Sequence, residues 1–101
     1  MSFQHTVSFA LVHPADSAEE GDFLDRARVT LTAIDGVQDF EINRQVSPKS
    51  DFRWQFSMRF DDRVAYEAYD ADPRHREFVA STWASEVASF QELDFVTVHR
   101  P

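Results

Sequence analysis

The chain has 101 residues, 43% hydrophobic and 14% aromatic, which is enough apolar material for one core and argues against disorder. Eighteen acidic against ten basic residues give a net charge of −8, the wrong sign for tracking phosphates or an anionic bilayer, so neither nucleic acid nor a membrane is expected as partner. With no cysteine, disulfides, thiol nucleophiles and thiolate metal sites are excluded.

The opening stretch "MSFQHTVSFALVHP" has no basic segment followed by a long apolar one, and no apolar run in the chain could span a bilayer. A cytoplasmic globular protein is the expectation. His5, Val7, Phe9 and Leu11 alternate with Thr6, Ser8 and Ala10, which predicts a first strand with one apolar side, ended by His13-Pro14. Ser17 with Glu20 three residues on matches a capping box. Phe23, Leu24, Ala27, Leu31 and Ile34 then recur at helical spacing until Asp35-Gly36 stops the helix. Gly21 weakens its first turn and leaves room for a later start.

"VQDFEINRQV" alternates again, with Phe40, Ile42 and Val46 opposite Asp39, Glu41 and Asn43. The turn "SPKSD" leads into "FRWQFSMRF", where Phe52, Trp54, Phe56, Met58 and Phe60 share a face against Arg53, Gln55, Ser57 and Arg59. These two strands are expected to form a hairpin. Asp61 or Asp62 then caps a short helix whose face is Val64, Ala65, Ala68 and Tyr69. "DADP" breaks it, with Asp72 as the next N-cap and Pro73 as the first helical residue.

The following helix is expected to carry His75, Phe78, Val79, Thr82, Trp83, Val87 and Phe90 near one side. "LDFVTV" reads as the last strand, before a tail of His99, Arg100 and Pro101. The order β-α-β-β-α-α-β predicts one α+β domain over residues 1–101: a ferredoxin-like antiparallel four-stranded sheet with helices on one face. The other face, with Ser8, Asn43, Arg53, Gln55 and Arg59, is polar without being strongly charged. Solvent suits such a face, and so does a second sheet.

Three residues stand out as candidates for chemistry. His75 falls in a helical first turn, where free N–H groups and the helix dipole favour the neutral ring that a general base requires. Phe78 and Val79, three and four residues on, turn it toward the apolar side. Tyr69 ends the preceding helix with its hydroxyl within reach of a pocket mouth, and His5 enters the apolar face of the first strand. Packing, capping and amphipathic cover account for the same three residues without chemistry. His13 and His99 belong to a turn and a tail, and the four histidines lack paired ligand spacing with carboxylates. There is no phosphate loop, nucleophile elbow or nucleotide fingerprint, so neither a metal nor an organic cofactor is expected.

The histidine before the first strand, "IDGV" after the first helix and the aromatic strand closing in "FDD" resemble the stress-responsive A/B barrel (Dabb) family. Tyr69, Pro73, His75, Phe78-Val79 and Asp94-Phe95 extend the likeness over roughly residues 4–98. The resemblance implies a ferredoxin-like protomer whose sheets pair as a dimeric α/β barrel, hence a homodimer. It also implies a likeness to olivetolic acid cyclase-type polyketide cyclases, which close a linear poly-β-ketide by an aldol step without metal or cofactor. Their acid–base groups correspond in position to Tyr69 and His75, with a pocket histidine at His5. Gln38 and Ala27 stand where such a cyclase has a lysine and a tyrosine, followed by Arg28, so substrate identity is not implied. Two functions stay open: a cofactor-independent acid–base cyclase or isomerase acting on a ketone-like small molecule, and a non-catalytic dimeric protein that binds an apolar small molecule or serves under stress. Monooxygenase chemistry on the same barrel is a third.

Overall fold

The structure is a computed structural model in which residues 2–101 are described. Strand β1 (Phe3–Leu11) is followed by helix α1 (Ala18–Thr32), the hairpin of β2 (Gln38–Arg44) and β3 (Trp54–Phe60), and helix α2 (Arg63–Ala71). Helix α3 (Pro73–Glu77) runs on through a π-helical segment, Phe78–Trp83, and a last α-turn, Ala84–Glu86, into β4 (Val87–Val96). The four strands form one antiparallel sheet in the order β2-β3-β1-β4, with the helices on one face. This is the ferredoxin-like α+β arrangement the element order predicts. No helix among the described residues is long and apolar enough to cross a membrane.

The alternation in β1 and β3 sets the core. Phe3, Val7 and Phe9 of β1 and Phe56, Met58 and Phe60 of β3 point to the helical side, where Phe23, Ala27 and Leu31 of α1 meet them. Each such phenylalanine contributes about 1.5–3 kcal/mol of transfer free energy, so this one layer of side chains accounts for most of what holds helix to sheet. Aromatic edges order it: Phe9 meets Phe56 at 4.7 Å and Trp83 at 5.1 Å between ring centroids, both edge-on.

The predicted caps form. Asp62 accepts from Ala65 N and Asp72 from Arg74 N. At α1 the Ser17 hydroxyl accepts from Glu20 N, but the Glu20 carboxylate does not return to Ser17 as in a capping box. It accepts instead from Asp16 N (2.9 Å), Trp54 Nε1 (2.8 Å) and Arg53 Nε (3.0 Å), tying the helix start to the start of β3. Asp16 takes a left-handed φ of 66° to bring its N–H round.

Further expectations about faces and element bounds require correction. Val46 lies beyond β2 and is exposed, because the strand ends at Arg44 and carries a bulge between Gln38 and Glu41. Val64 and Ala68 of the expected face of α2 are exposed too; Tyr66 joins Ala65 and Tyr69 on the buried side instead, stacked on Phe3 at 4.8 Å. Phe52 precedes β3 rather than belonging to it. Finally, β4 starts six residues before Leu93, so Val87 and Phe90 are strand residues and not part of the helix. Pairing with β1 over Phe3–Leu11 extends the strand, a non-local term that overrides the helical spacing from Trp83.

Candidate functional site

A cavity of about 190 Å³ opens between sheet and helices at the β4 edge. Val7, Phe56 and Met58 form its floor and Leu31 of α1 one wall. Phe78, Val79 and Trp83 form another wall, all supplied by the π-helical segment. Here Ser81 Oγ donates to Glu77 O (2.7 Å) and Ser85 Oγ to Ser81 O (2.8 Å), side-chain bonds that compete with the regular ladder. The wider turns present Trp83 to the cavity, while Thr82, expected on the same side, faces away into a groove with Thr30 and Pro73.

The polar end of the cavity carries the three sequence candidates together. The Asp72-Pro73 break ends α2 and starts α3 at once, and it sets the Tyr69 and His75 rings 4.5 Å apart between centroids. His5, from the sheet, lies 6.3 Å from the Tyr69 ring. Tyr69 is 2% exposed, its ring wedged against Phe60 at 5.1 Å. Among the described residues its hydroxyl has no hydrogen-bond partner, yet no buried side-chain polar atom is left orphaned, so the oxygen borders the open cavity. Burial pushes the Tyr69 phenol well above its ordinary pKa, with Tyr66, Asp70 and Glu92 adding to the effect. It is therefore a proton donor across the physiological range.

Both imidazoles are held at Nδ1. His75 Nδ1 lies 3.1 Å from the Asp70 carbonyl oxygen, an atom that can only accept, so this nitrogen carries the proton. His5 Nδ1 lies 2.6 Å from Asp94 Oδ1, and the two residues face each other directly across the β1–β4 ladder. In the neutral rings both Nε2 atoms are left as acceptors. Tyr66 packs beside this pair, 4.9 Å from the His5 ring, and burial pushes its phenol up as well, helped by the Asp70 charge. Asp70 adds a carboxylate oxygen 3.8 Å from His75 Nδ1.

Sequence reasoning missed Asp94 as the partner of His5 and missed Asp70 and Glu92 on the cavity wall. Alternation along β4 puts Asp94 on the same face as Glu92, but its pairing with His5 follows only from the β1–β4 register, in which the two residues stand opposite each other. Gln38 and Ala27 do not line the cavity; Gln38 Nε2 donates to Asp61 at 2.8 Å and Ala27 is fully buried under α1. No group of three or more histidine, aspartate or glutamate side chains with metal-ligand geometry occurs among the described residues.

The fold and this geometry can be set beside known proteins. A Dabb family protein with a ferredoxin-like fold from Mesorhizobium loti is 45% identical, with a TM-score of 0.95 over 97% of this chain and 98% of that one. A hydroxynitrile lyase from Passiflora edulis superposes with a TM-score of 0.81 over 99% of this chain and 97% of its own, at 10% identity, a likeness of fold alone. A dimeric ferredoxin-like protein of unknown function from Thermobifida fusca does so at 0.76, over 96% and 92% and at 14% identity. No curated protein sequence matches the chain. The family model described as Stress Responsive A/B Barrel Domain matches residues 3–97, so with the Mesorhizobium relative it establishes that the chain belongs to the Dabb family.

Proposed function

We propose that this Dabb protein is a cofactor-independent acid–base enzyme, a cyclase or isomerase acting on a small ketone-like molecule. The observation that carries the reading is the pairing of a phenol held protonated with an imidazole whose Nδ1 is tied back, both on one apolar cavity. His75 Nε2 takes the proton from the carbon next to a carbonyl. The Tyr69 hydroxyl donates to the carbonyl oxygen as negative charge develops there. His5, oriented by Asp94, supplies a second acceptor from the sheet side. Returning the proton to a different carbon isomerises the substrate; attack of the same carbanion on a second carbonyl closes a ring. In either case no redox partner is required. The existence of a hydroxynitrile lyase on this fold is compatible with such a site, although that activity is not carried over.

The test is deuterium wash-in at the methyl group of acetophenone in heavy water, followed by NMR. Wild-type protein should accelerate exchange, and His75→Ala should lower the protein-dependent rate roughly 10²–10⁴-fold, the worth of a positioned acid–base group. A variant that exchanges at the wild-type rate, or protein that never accelerates exchange although the ketone binds, leaves a binding protein instead.

We also infer a homodimer formed sheet to sheet. The face of the sheet away from the helices carries Leu93 and Phe95, half-exposed beside Gln4 and Thr6 of β1. The Thermobifida neighbour is itself dimeric.

A further inference from the structure

The charges around the cavity have a consequence for what can enter it. Among the described residues its ionisable side chains are His5, Tyr69, Asp70, His75 and Glu92, and no lysine or arginine lines it. A third carboxylate, Asp94, stands directly behind the His5 ring. Two nearby arginines stay outside the cavity lining: Arg63 lies over the Phe3 ring at 5.4 Å, and Arg76 borders a separate shallow groove on the outer side of Asp70 and His75, with Val79 and Ala80. The remaining walls are aromatic and aliphatic. An anion entering here would leave water for apolar walls and would face carboxylates with no fixed cation to offset them. A neutral carbonyl compound, by contrast, finds one donor in the Tyr69 hydroxyl and acceptors in the imidazole Nε2 atoms. Size narrows the class further, since a dry cavity of about 150 Å³ accommodates benzene.

We propose that the site takes an uncharged carbonyl compound of about one six-membered ring and rejects carboxylates and phosphate-bearing esters. As a substrate assignment this rests on the acid–base reading above; as a binding preference it is measured without turnover, so either can fail alone. The experiment compares acetophenone with benzoate, two molecules of closely similar size and shape, by ligand-observed NMR titration of the wild-type protein at low salt and neutral pH. Acetophenone should bind at least about ten-fold more tightly than benzoate, and the gap should narrow when salt screens the carboxylates. In Glu92→Gln and Asp70→Asn, each checked for an unchanged melting transition, the benzoate penalty should shrink. Benzoate binding as tightly as acetophenone would overturn the proposal. So would failure of acetophenone to bind, or a gap that neither salt nor the two substitutions changes.

Discussion

Tyr69→Phe removes one oxygen from the site and leaves its packing in place, so it separates chemistry from stability. The ring contacts with Phe60 at 5.1 Å, His75 at 4.5 Å and Tyr66 at 6.2 Å belong to carbon atoms that phenylalanine keeps. No described residue loses a hydrogen-bond partner when the hydroxyl goes, so unfolding free energy should change by less than about 0.5 kcal/mol. The reaction loses its donor to the developing oxyanion, a group worth about 2.7–4 kcal/mol, or roughly 10²–10³ in rate. Tyr69→Ala is the structural control: losing a ring that is 2% exposed should cost about 3–5 kcal/mol of stability. Thermal unfolding and the acetophenone exchange rate, measured on the same preparations, give both readouts. If the Phe variant exchanges deuterium as fast as wild type, the phenol is only a core aromatic. If it unfolds as easily as the Ala variant, the hydroxyl is structural.

Glu20→Ala should cost about 2–3 kcal/mol, less than the breaking of a fully buried pair because Arg53 is partly exposed and keeps its contact with Asp16, and thermal unfolding should show it as a fall of roughly 10–20 °C. Burial alone would raise the Glu20 pKa, but the bonds from Trp54, Asp16 and Arg53 outweigh it and hold the carboxyl below its ordinary value. Its contribution is therefore complete above the ordinary carboxylate pKa and is lost as pH falls through the lowered one; a Glu20→Ala deficit that persists undiminished in strong acid would contradict this. Equilibrium sedimentation at micromolar concentration should return twice the chain mass of 11.7 kDa, and a clean monomer would remove the sheet-to-sheet pairing.

The parts of this protein that were legible in its sequence are those set by local physics. β3 reads directly because its aromatic alternation over Trp54–Phe60 has period two, and the caps at Ser17, Asp62 and Asp72 read because a short polar side chain serves N–H groups two or three residues away. The closeness of Tyr69 and His75 follows from the same local logic, since a break of one residue, Asp72, between helices leaves little freedom for the rings on either side. What depended on distant partners was not legible. Val87 and Phe90, three residues apart, satisfy helical spacing, and only pairing with β1, through an irregularity between Ala10 and Leu11, makes both of them strand residues. Asp94 reaches His5 across 89 residues of chain. The π-helical turns that aim Trp83 coincide with serine hydroxyls bonded to carbonyls four residues back, a feature that no hydrophobic period records.

The proposed base is a single atom, His75 Nε2, which keeps a free lone pair in the neutral ring because the Nδ1 proton is held by the Asp70 carbonyl. Nitrogen-15 NMR of the histidine rings at mildly alkaline pH, with His75→Ala assigning the signals, reads its state directly. His75 should show a protonated Nδ1, held by the Asp70 carbonyl, and an unprotonated Nε2 whose resonance moves as acetophenone is added. A proton found on Nε2 in the neutral ring, or an Nε2 signal that ignores a bound ketone, would contradict the assignment of His75 as the base.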